Sequence, residues 1–334
     1  MKDKQISRRE FLKGTVAATT ALAVSSKLVT ASEGEAGFDA KGLPTGVLGK
    51  TGAEVPLIGY GTGSRFYAVR DEDKALEMLT YALDNGLYYW DTANGYRDDE
   101  VISEERLGKI LKHRRKEVFL STKVGARQAD GAKRELEESL GHLQTDYINL
   151  WQIHGLTSLE DAKALGKKGS VLEVLYKMRE EGVVKNIGFT GHKSAKAMAY
   201  AAKEYELDTM LIALSHNDYD IEDGQQQDFE GKAMPIAADK GMGVIAMKVI
   251  KPREMIQELK PEELVRYALS LKEVNTAVIA MSSLENVKDN IAILKRFELL
   301  DNEAMDKMRV ALEPFYRNEG IEWLQPYYRD GYLA

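Results

Sequence analysis

Eight short, apolar, β-rich runs punctuate the chain at nearly regular intervals: "VPLIGYGT", "YYWDTAN", "VFLSTKV", "YINLWQIH", "VKNIGFTG", "TMLIALSHN", "GVIAMKV" and "TAVIAMS". Runs of this length, rich in Val, Ile, Tyr and Phe, read as buried strands. Between them lie helical patterns. "DEDKALEMLTYALDNG" has acids in its first turn and Gly86 after its last, and "KRELEESLGHL", "SVLEVLYKMREEG", "SAKAMAYAAKEYE", "PEELVRYALSL" and "SLENVKDNIAIL" are similar. The segments before Val118 and after Asn217 are less regular. Eight βα units within roughly 250 residues predict a closed (β/α)8 TIM barrel. The competing architecture, an open doubly wound sheet, is disfavoured because no G-x-G-x-x-G opens the first helix. "GVLGKTGAEVPLIG" predicts a short N-terminal hairpin ahead of the barrel. "FYRNEGIEWLQPYYRDGYLA" predicts an irregular C-terminal tail that packs on the barrel, covers its mouth or forms a contact surface.

The 334 residues, 44% of them apolar, suffice for a large core. No apolar run reaches the length of about 18 residues that a membrane span needs, and the absence of cysteine excludes disulfides, thiolate metal sites and a cysteine nucleophile. The chain divides at Ala31 into residues 1–31 and a barrel domain of residues 32–334. The first part holds Lys2, Lys4, Arg8, Arg9, Lys13 and Lys27 against Asp3 and Glu10, in a chain of net charge −7. The remainder is therefore strongly acidic, and nucleic acid is not an expected partner. The basic zone is followed by "GTVAATTALAV" and by "LVTAS", in which Val29 and Ala31 are placed as at an A-x-A cleavage site. "SRREFLK" resembles the bacterial twin-arginine export signal. That resemblance implies translocation of a folded protein by the twin-arginine translocase and a periplasmic or other extracytoplasmic location.

In a (β/α)8 barrel the reactive groups gather at the C-terminal ends of the strands. The first strand ends in Gly61 and Thr62, the second in Asp91 with Tyr96 just beyond, the third in Lys123 and the fourth in His154. A carboxylate beside an ammonium can be no more than a structural ion pair. With a phenol alongside, the ammonium is expected to lower the phenol pKa, the carboxylate to hold the ammonium, and the imidazole to orient a carbonyl oxygen. None of these side chains is an electron source, so a cofactor must supply the hydride.

"GLYYWDTANGYRDDEVISEERLGKIL", "VFLSTKV" and "SLGHLQTDYINLWQIH" resemble the aldo-keto reductases in order and spacing. The resemblance implies a catalytic tetrad of Asp91, Tyr96, Lys123 and His154, a nicotinamide cofactor (NADP or NAD) across the barrel mouth, and a small-molecule aldehyde or ketone substrate. It places Gly61 and Thr62 beside the nicotinamide. Thr190 stands at the usual carboxamide contact, with Gly191 where an Asn is usual. Met247, followed by Lys248, occupies the place of the usual stacking aromatic, and the usual strand-6 glutamine is missing from "LIALSHN". "AVIAMSSLENVKDN" resembles the last cofactor segment, implying contacts from Ser282, Ser283, Asn286 and Asn290. No basic residue stands there at the positions that usually grip the extra phosphate of NADP, so no strong preference over NAD is expected. In "DYINL", Asn149 replaces a usual aspartate, a change expected to alter a supporting bond rather than the chemistry.

His113, His142, His192 and His216 show no metal-ligand spacing. His192 and His216 follow strands and can rim the pocket, and Tyr60, Phe66, Tyr67 and Trp151 can line a substrate site or pack in the core. The expected activity is NAD(P)-dependent carbonyl reduction or alcohol oxidation. The alternative is an extracytoplasmic cofactor- or ligand-binding barrel with a redox-sensing role and little turnover.

Overall fold

The computed structural model describes residues 37–220, 226–328 and 330. The Met1–Ala31 segment that carries the export-signal resemblance lies outside the described residues.

The predicted hairpin forms from β1 (Thr45–Val47) and β2 (Glu54–Pro56), antiparallel. Its turn sits against the underside of the barrel. Gly49 has φ 51°, and a Cβ there would lie 2.2 Å from the Gly243 nitrogen, so only glycine allows this approach. The barrel strands are β3 (Ile58–Gly61), β4 (Tyr89–Asp91), β5 (Phe119–Val124), β6 (Ile148–Leu156), β7 (Val184–Gly191) and β8 (Thr209–Ala213). A hairpin of β9 (His216–Asp220) and β10 (Gln226–Asp228) follows, then β11 (Gly243–Met247) and β12 (Val274–Ala280). All eight barrel strands are parallel and close in the order β11-β12-β3-β4-β5-β6-β7-β8. This is the expected (β/α)8 barrel, and each of the eight apolar runs supplies one of its strands.

Helices cover the outside for the reasons the sequence suggests. In Glu72–Asp84 the Asp71 side chain accepts the Lys74 N–H as an N-cap, acids fill the first turn, and Ala75, Met78, Leu79, Ala82 and Leu83 form the buried stripe. Gly86 ends that helix at φ 92°; a Cβ would lie 2.0 Å from the Ala40 carbonyl oxygen. Two helices fall where the periodicity is weak. Ser103–Arg114 buries Glu104 and Arg106 beside Leu107 and Leu111, so its inner face is not apolar throughout. Asn302–Tyr316 runs into the segment read as irregular tail. No helix among the described residues is long and apolar enough to cross a membrane.

Tyr60, Phe66 and Trp151 are fully buried in the main core, and Tyr67 packs in a small cluster with Ala93, Tyr96 and Val101. These four are packing residues, not a substrate-site lining. The tail beyond the last helix covers the mouth: Trp323 is buried and the Lys193 ammonium donates to the Gln325 carbonyl.

Candidate active site

Strand register assembles the centre of the site. Asp91 on β4 lies opposite Ser121 on β5, and Lys123 lies opposite Gln152 on β6. Strand side chains alternate between faces, so Ser121 with Lys123 and Gln152 with His154 each share one. The Lys123 ammonium donates to Asp91 Oδ2 in a pair almost wholly shielded from water, and to the Thr92 carbonyl at 2.7 Å. The other Asp91 oxygen accepts from Ser121 Oγ at 3.0 Å and Gln152 Nε2 at 3.3 Å. Ser121 and Gln152 thus fix the carboxylate that fixes the lysine. Neither stood out in sequence, although a polar residue two positions before Lys123 and before His154 in an apolar strand is the signal that marks them.

Tyr96 arrives on the loop after β4. Its N–H donates to Ala93 O, its carbonyl accepts from Ser103 N–H, and Ser103 Oγ donates to Thr62 O at 2.7 Å, tying this loop to the end of β3. The phenol oxygen lies 3.2 Å from Lys123 Nζ, and its ring meets the His154 ring edge-on at 5.6 Å. All four tetrad residues therefore converge as expected.

One residue joins them that sequence reasoning did not assign. The tail carboxylate of Asp330 enters the mouth, and its Oδ2 accepts from Tyr96 OH at 3.2 Å and sits 2.9 Å from His154 Nε2. Its Oδ1 takes Lys248 Nζ at 3.0 Å and Tyr328 OH at 2.6 Å, with His192 Nε2 at 3.4 Å. Burial favours the neutral acid at Asp330, but the Lys248 ammonium and the two histidines outweigh it and hold this carboxyl well below its usual range. The Tyr96 phenol departs from the lowered pKa expected for it. Burial, then the Asp330 and Asp91 carboxylates, push it well above its usual value, so the proton is held on the oxygen. Burial also lowers the pKa of His192, against the opposing pull of the Asp330 carboxylate.

A cleft of about 360 Å³ opens at this end of the barrel. It brings together Gly61, Asp91, Tyr96, Lys123, Met247, Lys248, Ser282, Asn286 and Asn290. Three other cofactor candidates serve structural bonds. Thr62 is buried and donates to the Asp91 carbonyl, and the Thr190 hydroxyl accepts the Gly155 N–H at 2.7 Å. Ser283 caps the helix Leu284–Lys295 by accepting the Asn286 N–H. Asn286 Oδ1 accepts from both the N–H and the hydroxyl of Ser282, and Asn290 Nδ2 bonds the Asn286 carbonyl. The cleft has an apolar wall of Met247, Val278 and Ile279, a polar helix start, and Lys248. This mixture suits an aromatic ring joined to phosphates, so the residues present fit a nicotinamide dinucleotide. Arg253, in the turn Lys251–Glu254 after β11, also lines the cleft. It is a basic residue from outside the segment on which the cofactor expectation rested.

The remaining histidines are elsewhere. His113 is exposed; His142 lies 3.5 Å from the fully buried Glu104 carboxylate, which raises its pKa; His216 contacts Glu313 at 3.1 Å and Glu230 at 3.9 Å. Asn149 Oδ1 accepts from Arg115 Nη2 at 2.8 Å and from the Leu120 N–H at 3.0 Å, a supporting bond as expected.

Residues 57–252 match the family model for the aldo/keto reductase family. L-galactose dehydrogenase of Arabidopsis thaliana is 26% identical over 311 residues, covering 80% of this chain and 93% of that protein. D-threo-aldose 1-dehydrogenase of a Pseudomonas species is 30% identical over 232 residues, covering 59% and 67%. Among solved structures, an aldo-keto reductase from Bacillus halodurans in its holo form superposes with a TM-score of 0.65 at 23% identity, covering 80% and 96%. An aldo/keto reductase from Klebsiella pneumoniae in complex with NADP and acetate has a TM-score of 0.61 at 21% identity, covering 84% and 98%. With the family match spanning more than half of its length and the closed eight-stranded barrel beneath it, the chain belongs to the aldo/keto reductase family, whose members are NAD(P)-dependent oxidoreductases.

Proposed function

We propose that this chain interconverts a small-molecule carbonyl compound and its alcohol with NADP or NAD, Tyr96 acting as general acid in the reductive direction. The observation that carries this reading is the pair of contacts on one oxygen: Tyr96 OH and His154 Nε2 both reach Asp330 Oδ2, where a substrate carbonyl oxygen would sit. When bound, the nicotinamide supplies the hydride. His154 orients the carbonyl. Tyr96 holds its proton until negative charge develops on the oxygen and then delivers it. Lys123, held by Asp91, which Ser121 and Gln152 fix in turn, steadies the phenolate left behind. Met247, Asn286 and Asn290, with Gly61 at the end of β3, would hold the cofactor.

Single-turnover hydride transfer, followed by loss of reduced-nicotinamide absorbance, tests the assignment. Tyr96→Phe keeps the ring and deletes the hydroxyl, and should slow transfer by about 10²–10⁴ with cofactor affinity little changed. Transfer at the parental rate would mean that the proton comes from another group.

One observation favours the second reading, a ligand-binding barrel with little turnover: the tail carboxylate stands on the catalytic pair. Failure of the cofactor-loaded protein to turn over a broad aldehyde panel, with or without the tail, would support it.

Export by the twin-arginine route is part of the proposal and rests on "SRREFLK" and the zones that follow it. Changing Arg8 and Arg9 together to Lys should leave unprocessed, folded protein in the cytoplasm; recovery of the double variant from the periplasm would refute this.

A further inference from the structure

Five polar groups converge on the carboxylate of Asp330, and they fall into two sets. Tyr96 and His154 take Oδ2, while Lys248, His192 and Tyr328 take Oδ1. The first set is the carbonyl machinery proposed above. Lys248 and His192 belong to the barrel and stay when the tail leaves; Tyr328 belongs to the tail and goes with it. The barrel thus presents a second oxygen-binding position beside the carbonyl position, with a cation in it.

Lys248 is built into that place at a cost. Its backbone φ is 61°, in the left-handed region that non-glycine residues seldom adopt. This turn at the end of β11 sends the side chain into the mouth, where it is about one-fifth exposed and its ammonium also faces the Tyr328 ring. His192 is 4% exposed. Of the other carboxylates lining the cleft, Asp91 pairs with Lys123, Glu254 with Arg65 and Lys251, and Glu322 with Lys251, while Asp289 lies on the helix Leu284–Lys295. Withdrawal of Asp330 therefore removes a carboxylate from a largely buried ammonium, and an anionic ligand is what restores the balance.

We propose that Lys248 and His192 form an anion subsite selecting substrates with a carboxylate next to the reacting carbonyl, 2-oxo acids and their 2-hydroxy counterparts, and that Asp330 is an internal carboxylate which such a substrate displaces. The proposal rests on the carbonyl chemistry assigned to Tyr96 and His154. In the reductive direction the carbonyl carbon accepts a hydride from the reduced nicotinamide, which is oxidised. The C=O π bond breaks, the oxygen takes the Tyr96 proton, and the carboxylate stays on Lys248 unchanged. The tail lowers apparent affinity by the fraction of molecules it occupies, and a ligand that matches its charge pattern replaces it best.

The test is a binding measurement on cofactor-loaded, full-length mature protein, so its outcome does not depend on proton transfer and stays distinguishable from failure of the Tyr96 assignment. Oxamate is the probe, and oxamide its neutral counterpart, both titrated by quenching of cofactor fluorescence. Asp330→Asn, which keeps the shape and removes the charge, should tighten oxamate at least tenfold and leave oxamide within about threefold. In the Asp330→Asn background, Lys248→Met should abolish the preference for oxamate, and Lys248→Arg should keep most of it. The loss of oxamate affinity in Lys248→Met should exceed any loss of cofactor affinity by tenfold or more. Equal gains for oxamate and oxamide would reduce the tail to a steric plug and overturn the anion subsite. No gain for oxamate would show that Asp330 is no competitor. A Lys248→Met variant that loses cofactor affinity but keeps its oxamate preference would make Lys248 a cofactor ligand instead.

Discussion

Removing the Lys123 ammonium should damage stability and catalysis by separable routes. In Lys123→Met the side chain keeps much of its bulk, so no large cavity opens, and the loss is electrostatic. Asp91, with 3% of its side chain exposed, would lose its only ion-pair partner among the described residues while keeping Ser121 Oγ and Gln152 Nε2 as donors. The Thr92 carbonyl would also lose its 2.7 Å donor. Breaking a buried pair from one side costs about 3–5 kcal/mol, because the remaining charge stays buried without compensation. Two retained hydrogen bonds place Asp91 toward the lower end, about 3 kcal/mol. The double variant Asp91→Asn/Lys123→Met removes that charge while keeping an amide in reach of Ser121, and should recover at least half of the loss. Urea unfolding at pH 7.5, read by circular dichroism with the slope held common, gives both numbers. Hydride transfer should remain slow in both variants, since neither has the ammonium beside Tyr96. A single variant destabilised by less than 1 kcal/mol, or a double variant no more stable than the single, would refute the view that Asp91 and Lys123 are held as a charge-balanced unit.

Glu230 offers a pH-dependent counterpart away from Asp91 and Lys123. Burial, opposed by the Tyr267 hydroxyl and Arg309, pushes its carboxyl up to about 7 from an ordinary 4.5. The folded state therefore binds the proton more tightly than the unfolded chain, and this group's contribution to stability falls as pH rises from about 4.5 to 7. The shift corresponds to about 3 kcal/mol. Glu230→Gln should flatten the difference in urea stability between pH 5 and pH 8 by about that amount, and an unchanged difference would refute the burial argument. Arg253 supplies the third prediction. If it meets the extra phosphate of NADP, Arg253→Ala should weaken NADPH at least tenfold more than NADH in fluorescence titrations. Equal weakening would mean that this side chain does not read the phosphate.

How much could be read in the sequence depended on the range over which each feature is encoded. The eight strands and most covering helices were legible because hydrophobic periodicity and caps are local. A run such as "VKNIGFTG" must be a buried strand wherever it lies, and it is β7 residue for residue. The gathering of Asp91, Lys123 and His154 was legible for a related reason: parallel strands in a closed barrel all end at one rim, whereas grouping them with Tyr96 as a tetrad came from the family resemblance. The helices Ser103–Arg114 and Asn302–Tyr316 were harder, the first because its inner face carries the buried charges Glu104 and Arg106.

Composition alone determined neither the use nor the neighbours of many polar groups. Thr62 and Thr190 sit where cofactor contacts were expected, yet strand packing turns their hydroxyls to the Asp91 carbonyl and the Gly155 amide. Tyr60 and Trp151 are strand aromatics and Phe66 lies in the short helix Ser64–Tyr67, and only the closed barrel decides that they face the core. Asp330 lies 234 positions from Tyr96 in a tail without period or motif. Its arrival at the Tyr96 hydroxyl, the upward push this adds at that phenol, and the pairing of Lys248 with His192 around one carboxylate depend on how the tail folds back over the mouth. Local sequence sets which residues can be buried or capped; contacts closed through long loops are chosen by the competition of whole surfaces for the same space, and only the tertiary structure decides that.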